Sequence, residues 1–156
     1  MKINFLSLTG NDRDRSGSYR IWVRDMSKTI NDNKVNSKIK YSIDDIDKDC
    51  DVVILGKSCY KICDSIKIKH PKKLIGAINI DANYLSSNID FVIVGSPEEY
   101  TSLSQYKNVF IYPLIERSFE NVEIKKHKKS NILKLCFHGH YPHLFKLISF
   151  DNSSIA

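Results

Sequence analysis

The stretch Lys2-Ile-Asn-Phe-Leu-Ser-Leu-Thr-Gly10 decides the fold, because it is a short apolar run that ends at a glycine. A polar loop follows over residues 11–18, and a segment with helical spacing begins at Tyr19. This order predicts a strand, a long glycine-bearing loop and a helix at the start of the chain. In open α/β sheets, ligands bind in the crevice outside the carboxyl ends of the strands, so this first turn is a natural candidate for a binding site.

Four further apolar runs resemble the first one. They are rich in β-branched residues and do not alternate with polar residues, which is typical of parallel strands buried on both faces. A weaker, partly exposed strand is predicted at Lys38–Tyr41. The four runs are Asp51-Val-Val-Ile-Leu-Gly56, Lys73-Leu-Ile-Gly-Ala-Ile-Asn-Ile80, Asp90-Phe-Val-Ile-Val-Gly95 and Asn108-Val-Phe-Ile-Tyr-Pro113.

Helical segments are predicted between these runs. Ser96 and Pro97 are typical of a helix start, and Pro71 marks the end of a preceding helix. The alternation of strands and helices predicts an α/β fold, with a parallel sheet, right-handed crossovers and helices on both faces. Two apolar stripes at helical spacing support this prediction: Tyr19, Val23, Met26 and Ile30, and then Cys59, Ile62, Cys63 and Ile66.

The character of the sequence changes after Pro113. Residues 117–131 are polar and contain a run of lysines, so we interpret them as a solvated linker. A new strand that ends at a glycine, followed by a short helix, is predicted within residues 132–156. The sequence thus predicts an N-terminal domain over residues 1–116, a basic linker, and an incomplete second α/β unit that cannot bury a core of its own.

The composition excludes several classes of protein. The net charge is +6, but only five of the 24 basic residues are arginine and the lysines are scattered, which indicates a solvated surface. No nucleic-acid partner is expected, since the chain has no RNA-binding signature, and weak contact with an anionic membrane surface is the alternative. No apolar run approaches the roughly 20 residues of a membrane span, and no signal peptide is seen. A cytoplasmic location is expected, with a peripheral position at the inner membrane face as the alternative.

The cysteines and histidines do not predict a metal site. The four cysteines show no disulfide framework and no redox motif, so reduced and partly buried thiols are expected. Cys136, His138, His140 and His143 are ligand types, yet they come from one segment, whereas zinc sites usually take ligands from two. We favour a loop histidine near a ligand phosphate over metal binding, and the alternative to both is that the cluster only reflects the composition at the end of a strand. The cysteines are Cys50, Cys59, Cys63 and Cys136.

The first loop and the helix after it form the strongest candidate site. Gly17 and Ser18 precede the helix, so free backbone N–H groups there could hold a phosphate or a sugar hydroxyl. Arg20 and Arg24 lie four residues apart at the same helix end, where a cation opposes the helix dipole by about 0.3–1 kcal/mol. Either neighbouring aspartates, Asp25 among them, or an anionic ligand offsets this cost, and both alternatives stay open.

Sequence motifs do not assign catalytic residues. The loop contains neither G-x-G-x-x-G nor G-x-x-x-x-G-K-[ST], so it is not a dinucleotide fingerprint or a P-loop. The predicted third strand, at residues 51–56, ends at Leu55-Gly56, where a phosphoacceptor receiver domain would need an aspartate. No nucleophile elbow and no paired carboxylates at suitable spacing are present.

Three stretches of the chain carry a resemblance to a known family. They are Ser16-Gly-Ser-Tyr-Arg-Ile21, the run Asn108–Pro113 with the polar residues after it, and Leu133-Lys-Leu-Cys-Phe-His-Gly-His140. Together they resemble the GT-B glycosyltransferases, of the family 1 and 4 type, in which two Rossmann-like domains face each other across a cleft. The first two stretches are similar to the first loop and the exit of the N-terminal domain. The third is similar to the first strand and loop of the C-terminal domain.

The resemblance implies transfer of a sugar from a nucleotide-sugar, as co-substrate, to a glycan or lipid-linked acceptor. It puts Gly17, Ser18, Tyr19, Arg20 and Arg24 on the acceptor side. It puts His138, Gly139 and His140 beside the donor phosphates. In the family the C-terminal domain supplies most of the donor site, and here that domain is truncated, so the resemblance does not decide whether the chain is an enzyme. The alternative is a non-catalytic Rossmann-like binding or interaction module.

Overall fold

The computed structural model describes residues 1–8, 19–56, 59–78, 85–106 and 108–112. All of them lie in the first of the two compact units into which the chain divides, Met1–Asn121 and Val122–Ala156. The interpretations of residues 117–131 as a linker and of residues 132–156 as a second unit lie outside the described residues.

Six parallel strands form one sheet in the described part of the chain, in the order β2-β1-β3-β4-β5-β6. Each of them matches a run that the sequence predicted as a strand. Continuous apolar side chains suit the central strands, since these are covered on both faces. The strands are β1 (Lys2–Leu6), β2 (Asn36–Lys40), β3 (Val52–Leu55), β4 (Leu74–Ile78), β5 (Phe91–Val94) and β6 (Val109–Ile111).

Short helices connect the strands. The first is a π-helical turn, Arg20–Asp25, that continues directly into α1 (Met26–Asp32). A 3-10 turn at Cys59–Ile62 leads into α2 (Cys63–Lys69), which ends at the residue before His70 as predicted. The last described helix is α3 (Pro97–Ser102), whose start is capped by Ser96. A further 3-10 turn covers Ile43–Asp45. None of the described helices is long and apolar enough to cross a membrane.

Helices pack on both faces of the sheet, as the sequence predicted. We call the face under the π-helical turn and α1 the front face, and the face under α2 and α3 the back face. The front core joins Ile3, Phe5, Val52 and Ile54 to Trp22, Val23 and Met26. The back core joins Leu6, Val53, Leu55 and Ile75 to Cys59, Cys63 and Ile66, and a smaller cluster joins Val92 and Val94 to Leu103.

The crossover pattern defines the fold. The chain moves from β1 to β2 across the front face, and from β3 through β6 in the opposite direction across the back face. This is the doubly wound, Rossmann-like arrangement, in the flavodoxin-like strand order extended by a sixth strand. The predicted α/β fold class is therefore confirmed.

Two charged residues depart from the expectation of solvated surface charge. Lys73 is buried, and its Nζ donates to the carbonyl oxygens of Asp47, Lys48 and Cys50 at 2.6–3.1 Å. Asp47 is half-buried and accepts hydrogen bonds from Lys40 Nζ at 2.6 Å and from the buried Asn4 amide at 3.2 Å. Because a buried polar group needs a partner, these contacts fix residues 47–50 against the sheet.

Candidate functional site

The candidate site lies where the strand order reverses. The chain leaves β1 toward one edge of the sheet and leaves β3 toward the other, so the direction of the chain reverses at the carboxyl ends of these two neighbouring strands. Such a switch point is where open α/β sheets bind ligands. The described residues at this switch point are Ser7 and Leu8 after β1, and Gly56 after β3. Residues 9–18 and 57–58 lie outside the described part of the chain.

Gly56 allows the first helix to approach the strand ends closely. Its N–H donates to the Leu6 carbonyl oxygen at 2.9 Å, which extends the ladder between β1 and β3. A Cβ at this position would lie 3.1 Å from Val23 Cγ2 and 3.2 Å from the Leu6 oxygen. The position therefore needs a residue without a side chain if the helix is to stay where it is.

Two tyrosine hydroxyls meet beside this switch point. Tyr19, at the start of the first helix, and Tyr41, directly after β2, have their hydroxyl oxygens 2.8 Å apart. Tyr19 is buried, with 4% of its surface exposed, whereas Tyr41 is half-buried. Since a phenol both donates and accepts, the pair can pass a hydrogen bond on to a third hydroxyl. The sequence singled out Tyr19 but carried no local signal for Tyr41, because 22 residues separate the two.

The turn that carries Tyr19 and Arg20 into the site has an unusual winding. Arg20–Asp25 is a π-helical turn, a rare conformation that is found frequently at functional sites. The predicted stripe of Tyr19, Val23, Met26 and Ile30 does face the sheet. Trp22 also faces it, and the helical spacing from Tyr19 could have indicated this residue.

The two predicted arginines differ in burial and in their partners. Arg20 is half-buried and has interaction partners of its own. Arg24 is exposed, and its Nε lies 3.1 Å from Asp25 Oδ1, so a neighbouring aspartate offsets its charge. The other predicted site residues, which are Gly17, Ser18, His138, Gly139 and His140, lie outside the described residues. Their roles remain predictions.

A basic groove of about 510 Å³ runs from Tyr41 along the edge strand β2, between that strand and the first helix. Its lining includes Arg24, Lys28, Lys38 and Lys40. Asp47 lies 3.4 Å from Lys38 Nζ and 2.6 Å from Lys40 Nζ, and Asp25 faces Arg24, so two carboxylates face three of the four cations. The positive charge in excess of these carboxylates favours an anionic ligand at this side of the site.

The described cysteines are buried, neutral thiols. Cys50, Cys59 and Cys63 are free and buried in the structure. Burial raises the pKa of all three thiols, that of Cys63 to about 11. Cys59 has a structural contact at the site, since its Sγ accepts a hydrogen bond from the Leu8 N–H at 3.2 Å. Cys136 lies outside the described residues.

The acids that follow β5, Glu98 and Glu99, lie in the first turn of the helix whose start Ser96 and Pro97 predicted. Ser96 Oγ accepts from the Glu99 N–H at 3.2 Å, and Glu99 Oε2 accepts from the Gly95 N–H at 2.7 Å. Backbone hydrogen bonding and Ser96 lower the pKa of Glu98. In the part of the chain that the structure describes, no three His, Cys, Asp or Glu side chains come together as metal ligands.

Comparison with known proteins gives no further identification: no family model, no curated protein and no solved structure matches the chain.

Proposed function

We propose that this chain is the acceptor-side part of a GT-B type glycosyltransferase. The observation that carries the proposal is the reversal of strand order between β1 and β3, with the Tyr19–Tyr41 hydroxyl pair beside it. A doubly wound sheet serves many ligand classes. The choice of a transferase therefore rests on the resemblance of residues 16–21, 108–113 and 133–140 to that family.

The chemistry of the site suits a sugar acceptor that carries a phosphate. Tyr41 carries a hydroxyl, a group that matches sugar hydroxyls, and Arg20 carries a guanidinium, a group that binds phosphate or carboxylate oxygens. Both residues have partners within the chain, so an acceptor would share or replace those contacts. The basic groove continues from Tyr41 past Arg24, so an acidic group on the acceptor would find cations there. A glycan or a lipid-linked acceptor has this combination of groups.

The donor would be a nucleotide-sugar, used as co-substrate without a further cofactor. In this proposal His138, Gly139 and His140 approach the donor phosphates, as the corresponding loop does in the family. A lipid-linked acceptor would bring the protein to the inner face of the membrane, where scattered lysines give a weak attraction to anionic lipid.

A non-catalytic binding module is the second candidate function. The observation that favours it is the engagement of Glu98 and Glu99 at the start of α3, which uses the acids at the carboxyl end of β5 for capping. Such a module would bind the same class of sugar or phosphate ligand and release it unchanged.

Calorimetric titration of the full chain with UDP-, GDP- and TDP-sugars tests the proposal, together with an assay for nucleotide release in the presence of glycan or lipid-linked acceptors. We expect binding of one donor and its acceptor-dependent cleavage. Binding of donor or acceptor without cleavage would establish the module, and the absence of heat with every donor would contradict the transferase.

Variants locate the acceptor site. We expect Tyr41→Phe to weaken acceptor binding by roughly three- to tenfold, the equivalent of one hydrogen bond. Arg20→Ala should weaken acceptor binding as well. Tyr100→Phe is the matched control, because Tyr100 is exposed on α3. Equal effects of Tyr41→Phe and Tyr100→Phe would contradict the placement of the site.

A further inference from the structure

A basic pocket of about 540 Å³ lies at the end of the sheet opposite to the candidate site. It is formed by residues that directly precede β3 and β4, so it lies at the amino ends of these two strands. Its lining includes three lysines and a histidine, which are Lys48, Lys72, Lys73 and His70. A single carboxylate, that of Asp51, belongs to the same lining.

Two tight turns build the pocket. Residues 47–50 form the first turn, which a backbone hydrogen bond of 3.2 Å closes between its last and first residues. Residues 70–73 form the second, closed in the same way at 3.1 Å. Pro71 takes the second position of that turn, which suits its fixed φ. Each turn carries one exposed lysine, Lys48 in the first and Lys72 in the second. Both lysines therefore project from backbone that is held in place.

The buried side chain of Lys73 joins the two turns. Lys73 is the last residue of the second turn, and its Nζ donates to three carbonyl oxygens of the first turn at 2.6–3.1 Å. These acceptors are neutral, and none of the ion pairs between described residues involves Lys73. The contacts fix the distance between the turns, and they put a positive charge under the pocket that no described carboxylate pairs with.

The acids near the pocket are engaged elsewhere. Asp51 Oδ2 accepts the Lys2 N–H at 2.7 Å and lies 3.9 Å from the terminal amino group. Lys48 and Lys72 take part in none of the ion pairs of the described residues. The pocket therefore has more positive than negative charge, which favours an anion. Three of the four acids in residues 44–49 pair with lysines outside the lining: Asp44 with Lys69, Asp47 with Lys40, and Asp49 with Lys2.

His70 supplies a neutral donor beside these cations. Its side chain is half-buried, and burial lowers its pKa, as do the positive charges of Lys73 and Lys69. The imidazole is therefore uncharged at pH 7, and it carries one N–H that is suited to an anion. An anion in the pocket would oppose the effect of the lysines and move the His70 pKa upward.

We propose that this pocket binds a phosphate group, with Lys48 and Lys72 in contact with it and Lys73 as a fixed charge behind them. A phosphate carries about −1.5 to −2 charges at pH 7, so it matches two exposed lysines better than a carboxylate does. The pocket has room beside one phosphate, and Pro71 and the 52% exposed Leu74 give it an apolar wall. The group is either free phosphate or part of an organic molecule. The site is separate from the switch point and does not rest on the proposed transferase function.

Proton NMR of His70 in the full chain tests the proposal, with inorganic phosphate and ADP as the probes. The loss of one ring signal in His70→Gln assigns the resonance. At constant ionic strength we expect at least one probe to shift this signal in a saturable way and to raise the His70 pKa. Saturation by phosphate identifies a site for the free ion, and saturation by ADP alone identifies a site for an organic phosphate. A signal that neither probe at millimolar concentration moves more than sodium chloride does would overturn the proposal.

Charge variants identify the lysines that hold the phosphate. Lys48→Gln and Lys72→Gln should each weaken the saturating probe by roughly three- to tenfold, since each removes one charge-assisted contact. Lys34→Gln is the matched control, because Lys34 is exposed and lies outside the pocket, and it should change the affinity by less than about twofold. The His70 signal reports only its own surroundings, so binding in the basic groove beside Tyr41 would leave it unchanged. Equal weakening by Lys34→Gln and Lys72→Gln would overturn the proposal.

Discussion

Replacement of Gly56 by alanine tests the contact that joins the first helix to the switch point. The added methyl group would lie 3.1 Å from Val23 Cγ2 and 3.2 Å from the Leu6 carbonyl oxygen. That oxygen cannot move away easily, because it accepts the Gly56 N–H at 2.9 Å. Val23 is 2% exposed, so its side chain has little free space. The helix must therefore shift by a few tenths of an ångström.

The net cost follows from two opposing effects. Overpacking of a filled core costs about 1–3 kcal/mol. Replacing glycine by alanine also stabilises by about 0.4–1 kcal/mol through the unfolded chain, and Gly56 has no positive φ that would cancel this gain. We expect Gly56→Ala to lower the free energy of unfolding by about 1–2 kcal/mol. For a chain of this size the melting temperature should fall by about 3–8 °C.

Thermal and urea denaturation of a double-mutant cycle measure this effect. Val23→Ala alone should cost about 2 kcal/mol, because it removes two buried methyl groups. The variant with both changes should cost about 1 kcal/mol less than the sum, since the new methyl group occupies the vacated space. Val92→Ala is the control partner: it is buried on the back face and should be additive with Gly56→Ala. A neutral Gly56→Ala, or additivity with Val23→Ala, would refute the close contact.

Three further perturbations address the polar contacts that hold the fold. Asp47→Asn should lower the free energy of unfolding at pH 7 by about 1–2 kcal/mol. Hydrogen bonding from Lys40 holds the Asp47 pKa at about 2, so the contribution of Asp47 is present above about pH 4 and is lost as the pH falls through 2. Denaturation curves of the variant that stay parallel to wild type from pH 5 to pH 2 would exclude this. Lys73→Met should cost about 2–4 kcal/mol because the carbonyls of Asp47, Lys48 and Cys50 lose the hydrogen bond from Lys73. A melting temperature within about 1 °C of wild type would contradict that. The Asn31 side chain covers the outward N–H and C=O of Ser37 on the edge strand. Asn31→Ala should therefore lower the free energy of unfolding by about 1–2 kcal/mol and increase aggregation measured by light scattering. Unchanged scattering at lower stability would show that the amide stabilises the fold without protecting the strand edge.

The sequence predicted the strands well because burial on both faces leaves a strong pattern. The run at residues 51–56 is apolar from Val52 to Leu55, and all four residues are buried in β3. The edge strand β2 was only weakly predicted, since Ser37, Lys38 and Lys40 interrupt its apolar character. Its partner on the outer side is the Asn31 side chain, and a side chain that satisfies a strand edge leaves no periodic signal.

Strand order and long-range polar contacts could not be predicted in the same way. The central runs resemble one another, so composition does not say which of them lies beside β1. Lys73 has the sequence context of a surface lysine, and it is buried only because residues 47–50 present three carbonyl oxygens to it. In the candidate site, Tyr19 and Arg20 could be predicted from helical spacing and from their position after the first loop. Tyr41 was not, because its role depends on the position of β2 next to β1.

The π-helical turn shows how packing overrides local preference at the site. A π turn has poorer hydrogen-bond geometry than an α-helix, so something must compensate for it. Trp22 is 5% exposed, and an indole buries on the order of 200 Å². At about 25 cal/mol per Å² this contributes up to about 5 kcal/mol, which exceeds the cost of one distorted turn. The burial of Trp22 is therefore large enough to compensate for the winding of the turn that carries Arg20. The spacing of apolar residues in the sequence predicts which side chains of the first helix face the sheet. It does not predict the π-helical turn, because the energy that compensates for this turn comes from packing in the front core.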